Sequence, residues 1–81
     1  MKEIKDKNLF GYVLNGLVGD KIKVRIIEYS GETSEGIVNG YSKGGYKIKD
    51  EIIPAGVEVL TEIGFFRIVI ENISQLFIIE G

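Results

Sequence analysis

The residue types that usually carry catalysis are scarce in this chain. Histidine and cysteine are both absent, which excludes the commonest general base near neutral pH, a thiolate nucleophile and the usual nitrogen and sulfur metal ligands. Glu32 and Glu35 are three positions apart, but they fall on an expected hairpin and not on one helix face where they would converge. A serine–lysine pair is the formal alternative. Residues 40–45 lack the GK[ST] ending of a phosphate-binding loop.

These residues predict a protein that is not an enzyme, with no cofactor, no metal site and no small-molecule substrate. The formal charge is −2, from 10 basic and 12 acidic side chains, so net charge predicts no strong general attraction to nucleic acid. The 81 residues make one domain, and a chain of this size buries only about 60% of the surface it exposes when unfolded. Such a domain often needs a partner for comfortable stability.

No apolar run approaches the roughly 18–20 residues that span a bilayer, because charges interrupt each one. The first residues, MKEIKDKN, lack the apolar centre of a signal peptide. We therefore expect a soluble cytoplasmic domain with no membrane partner.

The first part of the chain predicts a flexible segment and then one helix. Residues 1–7 are charged and expected to be flexible, and residues 8–18 carry apolar side chains at helical spacing. Asp6 or Asn8 can cap the start of this helix, and Gly19 suits a left-handed stop.

From about residue 21 to residue 79 the pattern changes to strands. Isoleucine and valine alternate with cations over residues 21–26, and a slip of phase at Ile26 and Ile27 predicts a bend or bulge. A turn at Ser30 and Gly31 leads into a strand over residues 33–41, in which Gly36 indicates a sharp bend. A third strand begins at Tyr46. Residues 50–64 are interpreted as an extended connection that can hold a short strand at 57–59, and two more strands cover residues 65–71 and 73–79.

This order predicts an all-β fold with one N-terminal helix, a small, bent, five-stranded antiparallel barrel of the SH3-like kind. The last two strands are apolar on both faces, although a one-sheet domain needs only one apolar face. Exposed groups of this size favour aggregation, so we expect them to form an oligomer interface. The alternative is that residues 50–63 fold over the outer face of a monomer. The expected interface residues are Phe65, Phe66, Ile68, Ile70, Leu76, Phe77, Ile78 and Ile79.

The chain resembles the Sm-like (Lsm) superfamily, and its pattern is most similar to the bacterial Hfq branch. The likeness begins at Asn8-Leu9, continues through Leu14-Asn15-Gly16-Leu17 and the alternating Ile22, Val24 and Ile26, and includes Gly31, Gly36, Val38, Tyr41 and Lys49. At the far end, Ile68-x-x-Glu71-Asn72-Ile73-x-x-Leu76 looks like the second Sm motif. The resemblance covers residues 8–81 except about 50–65.

The resemblance implies a cyclic homo-oligomer in which the fourth strand of one subunit pairs with the fifth strand of the next. It also implies binding of single-stranded RNA, but most of the usual contact positions differ. Phe10 and Gly11 stand where the Hfq-like glutamine and aspartate are expected, Gly44 replaces the stacking aromatic residue, and Ile70 and Glu71 replace a lysine–histidine pair.

Four residues can replace the lost RNA contacts, and each has an ordinary structural alternative. Tyr46 can offer a ring for base stacking beside Lys43 and Lys47, or it can pack within the sheet. Asn72 can read a base, or it can be a turn residue with a local hydrogen bond. The cations of residues 21–25 can form a weak phosphate-binding face or a solvated one.

Three functions follow from these patterns. The first is a ring-forming, non-catalytic RNA-binding or RNA-chaperone-like module. The second is an oligomeric protein-assembly scaffold that has lost RNA binding, and the third is a monomeric SH3-like interaction module.

Overall fold

The computed structural model of the chain describes residues 1–41, 46–48, 51–53 and 55–79, and in 41, 46–48 and 51–53 it describes the backbone only. These residues form one short α-helix and eight strands within principal extents of 34, 23 and 22 Å. The elements are β1 (Lys2–Ile4), α1 (Phe10–Gly16), β2 (Lys23–Glu28), β3 (Thr33–Tyr41), β4 (Tyr46–Ile48), β5 (Glu51–Ile53), β6 (Gly56–Thr61), β7 (Gly64–Val69) and β8 (Ile73–Ile79).

Six strands form one antiparallel sheet in the order β1-β8-β2-β3-β6-β7, and β4 pairs with β5 in a separate hairpin. The prediction of a mostly antiparallel β fold with one N-terminal helix is confirmed. The main sheet has six strands and not five, and among the described residues its two outer strands, β1 and β7, do not pair with each other. Among the described strands the sheet therefore ends at β1 on one side and at β7 on the other and does not close into a barrel.

The α-helix lies within the predicted range of residues 8–18 but is shorter, since α1 covers Phe10–Gly16. The Asp6 side chain accepts a hydrogen bond from the Asn8 amide at 3.0 Å and so caps a short 3₁₀ helix, Lys7–Leu9, that runs into α1. Gly19 lies three residues beyond the end of α1 and adopts the left-handed backbone conformation with φ of 83°, in which an α-helix cannot continue. Phe10 and Leu14 turn into the core, since both are fully buried.

The phase slip at Ile26 and Ile27 corresponds to an irregularity in the sheet. The β2–β8 pairing shifts register between Ile27 and Glu28, as predicted. The turn at Ser30 and Gly31 is also confirmed, because the Gly31 amide donates to the Glu28 carbonyl at 2.9 Å with Gly31 at φ of 94°. β2 and β3 thus form a hairpin.

The largest difference from the sequence expectation lies in residues 50–64. This segment was expected to be an extended connection, but it contains β5 and also β6, which pairs with both β3 and β7. The strand expected from Tyr46 onward lies in the separate β4–β5 hairpin. Val57 and Val59 are fully buried, so β6 supplies core side chains. The pairing of β3 with β6 shifts register between Val38 and Gly40.

The N-terminal residues also differ from the expected flexible segment, because Lys2–Ile4 form β1 against β8. The core lies between α1 and the inner face of the sheet, and Ile4 packs against it. Its buried hydrophobic members among the described side chains are Phe10, Leu14, Val24, Ile26, Val38, Val57, Val59, Ile68, Ile73 and Leu76.

Candidate functional site

The four residues expected to contact RNA are only partly described by the structure. Lys43 lies outside the described residues, and Tyr46 and Lys47 belong to β4 as backbone only. Asn72 is exposed at the end of a 3₁₀ helix, Ile70–Asn72, that joins β7 to β8. Its side chain is therefore accessible to a ligand.

Asn72 lies next to an aromatic residue that the sequence analysis did not select. The amide of Tyr29 donates to the Asn72 carbonyl at 2.9 Å, and Tyr29 is 62% exposed. The Lys7 ammonium lies 4.7 Å from the centroid of the Tyr29 ring and donates to its hydroxyl. The Tyr29 ring and the Lys7 ammonium thus contact each other at one end of the sheet, where the Tyr29 backbone bonds to that of Asn72. The slip of phase after Ile26 was the only sequence signal that Tyr29 leaves the regular pattern.

Carboxylates lie at the same end of the molecule. Partial burial, followed by the charge of Glu32 and a hydrogen bond with it, raises the pKa of Glu28 above its usual value. Two neighbouring acidic groups disfavour a phosphate at this position. Ring stacking and amide hydrogen bonds are consequently the interactions that this end of the sheet offers most readily to a base.

The expected interface residues divide into three groups. Ile68 and Leu76 are fully buried in the chain's own core, so these two side chains are not available to a second subunit, and Ile70 is partly buried against the same core. Phe65 and Phe66 are exposed, by 57% and 42%. The remaining three, Phe77, Ile78 and Ile79, are half-buried in β8.

The exposed apolar surface centres on β7 and extends beyond the expected residues. Leu60 of β6 lies opposite Phe65 in the β6–β7 pairing, and both are exposed together with Val69 and Ile63. Phe66 lines a cleft of about 550 Å³ with Ile37, Leu60 and other residues. The sequence pattern does not single out Val69, Leu60 or Ile63 as interface residues. Two of them, Leu60 and Ile63, lie in the segment interpreted as a connection.

The backbone of β7 is open along one side. Residues of an antiparallel strand alternate between bonding to the neighbouring strand and facing away from it. The Ile70 amide donates to the Ala55 carbonyl of the β6 side at 2.9 Å, which fixes this alternation. The backbone N–H and C=O groups of Phe65, Arg67 and Val69 therefore point away from β6. In the described part of the chain no strand meets them.

The opposite edge of the sheet is closed by β1, and the β2–β3 hairpin fixes which groups of β8 face it. The Glu28 amide donates to the Glu32 carbonyl at 2.9 Å, so Glu28 and every second residue before it bond to β3. Arg25 alternates with these residues, so its backbone N–H and C=O face β8 and bond to its partner there, Phe77. The residues on either side of Phe77 consequently direct their backbone groups away from β2.

Those residues are Leu76 and Ile78, and their partners in β1 are Ile4 and Lys2. β1 is short, and its outer edge carries the exposed charges of Lys2 and Glu3. A short, charged outer strand discourages pairing with another chain. The sheet thus has one protected edge and one apolar, unprotected edge.

The possible catalytic and metal groups do not converge. Glu35 Oε2 accepts from Arg25 Nε at 2.9 Å across the β2–β3 pair, so this carboxylate is engaged in a surface ion pair. No group of three His, Cys, Asp or Glu residues that could hold a metal occurs among the residues the structure describes. Within the same residues no helix is long and apolar enough to cross a membrane.

Neither protein-family models, nor curated proteins, nor solved structures give a match to this chain.

Proposed function

We propose that the chain is a non-catalytic, Sm-like assembly module that forms a cyclic homo-oligomer by pairing the edges of its sheets. The observation that carries this proposal is the outer edge of β7, where no strand of the described residues pairs with the backbone and exposed apolar side chains lie alongside. An edge of this kind is a template for pairing with another chain, and soluble proteins normally protect it. We expect a second copy of the chain to pair with this edge and so protect it.

The strand order supports the Sm-like interpretation. Strands β2, β3, β6 and β7 lie side by side in chain order, with the β4–β5 hairpin inserted between β3 and β6, and the chain then returns to place β8 next to β2. A helix precedes this arrangement, as the resemblance implies. In a ring of this type the β7 edge of one subunit pairs with the β8 edge of the next, which gives every subunit the same two contacts.

The proposal is tested by one position on the open edge. Proline at residue 67 removes the outward N–H of Arg67 and leaves the β6–β7 hydrogen bonds intact, because that N–H does not bond to β6. We expect Arg67→Pro to reduce the particle mass measured by light scattering toward the 9.0 kDa of one chain. Arg67→Ala is the matched control, since it removes the charge but keeps the N–H, and it should retain the mass of the unaltered oligomer.

A mass of one chain for the unaltered protein at all concentrations would contradict the proposal. Equal masses for Arg67→Pro and Arg67→Ala would show that the oligomer uses another surface. Circular dichroism of both variants checks that the fold persists.

The exposed Tyr29 ring beside Asn72 and Lys7 favours single-stranded RNA binding as a second function of the same module. Aromatic rings stack on bases of any sequence, and each stacked base contributes about 1–3 kcal/mol. The neighbouring amide of Asn72 can bond to a base edge. This function does not require the oligomer, and its test is argued in the Discussion.

A further inference from the structure

We propose that β1 is an intramolecular strand that occupies the assembly edge of β8 and must leave before another copy can pair there. The inference rests on the proposed edge pairing, and it adds a regulatory segment, residues 1–5, to that function. In the closed chain, Lys2 and Ile4 satisfy the outward backbone groups of Ile78 and Leu76. A β7 strand from a second copy needs those same groups.

The two competing strands differ in length and in side chains. β1 has three residues and one apolar side chain, Ile4, which is half-buried against the core. β7 has six residues and presents Phe65 and Val69 beside its open edge. A ladder to β7 can therefore be longer and more apolar than the ladder to β1. Each net hydrogen bond gained contributes about 0.5–1.5 kcal/mol.

The advantage of β1 is its tether. A segment joined by a short linker acts at an effective concentration of the order of millimolar, whereas a second copy is present at its bulk concentration. Met1 adds a weak contact, because an Arg25 N–H lies 3.8 Å from its Sδ. The closed form is consequently favoured in dilute solution and the paired form at high concentration.

The closed chain also explains why assembly would be limited. With β1 in place, the described part of the main sheet offers an open edge at β7 and a charged outer strand at the other side. Edge pairing between the main sheets of two such copies then joins β7 to β7, which ends this mode of assembly at two. Opening of β1 creates the second edge that a ring requires.

The absence of cysteine allows a direct test with an engineered disulfide. Glu3 lies opposite Phe77 in the β1–β8 pairing. The two residues form a non-hydrogen-bonded pair, in the phase of the ladder where opposite residues exchange no N–H···O bonds. Antiparallel partners in this phase have Cα atoms about 4.5 Å apart, which is within the range that a disulfide bridges. The full-length double variant Glu3→Cys/Phe77→Cys can therefore be locked by oxidation and released by reduction.

We expect the oxidised double variant to have the mass of one or two chains at every concentration. The reduced form of the same protein should assemble further as concentration rises. Because both samples carry the Phe77 substitution, a difference between them reports the effect of the disulfide. Light scattering over a dilution series makes the measurement. Mass spectrometry confirms that the disulfide is intramolecular.

Two proline variants supply an independent check without a cross-link. Lys2→Pro removes an N–H that bonds to β8, whereas Glu3→Pro removes one that points outward. Lys2→Pro should lower the concentration at the midpoint of assembly about 2- to 10-fold, the factor equivalent to one net hydrogen bond. Glu3→Pro should leave the midpoint within about 2-fold of the unaltered protein.

The outcomes separate this inference from the proposed function. Rings of equal mass in the oxidised and reduced samples would overturn the role of β1 and leave edge assembly intact. One chain per particle under all conditions would overturn both. A dimer that responds to Arg67→Pro but not to the disulfide would identify β7–β7 pairing and overturn the displacement of β1.

Discussion

Gly36 lies where β3 passes closest to the backbone of β6. A Cβ atom at this position would lie 2.1 Å from the carbonyl oxygen of Leu60 and 2.8 Å from its carbonyl carbon. Both are backbone atoms that cannot rotate away, so any side chain would force the two strands apart. The glycine thus permits the close approach of β3 to β6, the strand that joins β7 and its outer edge to the rest of the sheet.

We expect Gly36→Ala to lower the free energy of unfolding by about 1–3 kcal/mol, the usual cost of overpacking. Urea unfolding followed by circular dichroism measures this change. Gly16→Ala is the matched control, because Gly16 ends α1 and a Cβ there has no heavy atom within 4 Å. The control should gain up to about 1 kcal/mol. Equal stability of Gly36→Ala and the unaltered protein would show that the strands can separate without cost.

The sequence pattern predicts some single residues of the site and its surroundings correctly and others not at all. Gly36 was predicted to mark a bend, since glycine inside an apolar strand has few other uses. Tyr29 was not selected, because its accessibility depends on where the β2–β3 hairpin ends relative to Asn72. Ile68 and Leu76 were assigned to an interface, but the inner face of the sheet buries them. Alternation identifies two faces of a strand and does not say which one a helix covers.

At the scale of elements, the bounds of β3 and β8 match the predicted ranges of residues 33–41 and 73–79. Both strands carry long apolar patterns between turn residues, so local sequence defines them. The sequence pattern does not predict β1, and in place of β6 it indicates at most a short strand at residues 57–59, because local sequence defines neither strand. β1 contains one apolar residue among charges, and β6 begins at Gly56, two residues after Pro54. Each is stabilised by pairing with a strand that is distant in sequence, which no local pattern reveals.

Hydrogen exchange can test β1 as an element. The Ile4 amide bonds to β8, whereas the Glu3 amide points outward, so the two neighbouring amides should exchange at different rates although both lie near the N-terminus. We expect Ile4 to exchange more slowly than Glu3 by about 10-fold or more, as measured by NMR after correction for intrinsic rates. The measurement is made in dilute solution, where the chain is closed.

Equal, fast exchange of Ile4 and Glu3 would show that residues 2–4 do not form a strand in solution. The Val24 amide serves as the internal reference, because Val24 lies in β2 between two paired strands and is fully buried. It should be the slowest of the three. Since opening of β1 is the first step of the proposed assembly, the Ile4 rate also reports how often the β8 edge becomes free.

At the scale of the whole molecule, charge and shape favour different partners. The net charge of −2 gives no general attraction to a polyanion, and the cation of Arg25 is paired with Glu35. The open apolar edge instead favours association with another protein chain. RNA binding by such a particle must rely more on stacking at Tyr29 than on phosphate contacts. Its affinity should therefore depend less on salt than that of a basic protein.

We expect labelled oligo(A) or oligo(U) to bind the unaltered protein at about 50 mM salt, and Tyr29→Leu to weaken this binding by about 5- to 100-fold. That factor corresponds to the loss of one stacked base. Fluorescence anisotropy measures the affinities, and light scattering on the same samples checks that the particle mass is unchanged. Stacking at Tyr29 and pairing at β7 then appear as separate properties of one particle.

Tyr29→Phe is the control that isolates the ring, because it removes the hydroxyl contacted by Lys7 and keeps the aromatic face. It should bind within about 3-fold of the unaltered protein if stacking carries the affinity. A loss as large as that of Tyr29→Leu would assign the affinity to the hydroxyl and Lys7. No binding by intact particles at low salt would exclude the RNA function. Edge pairing would then be the single proposed activity, consistent with a surface in which Glu28 and Glu32 flank the only aromatic residue of that hairpin turn.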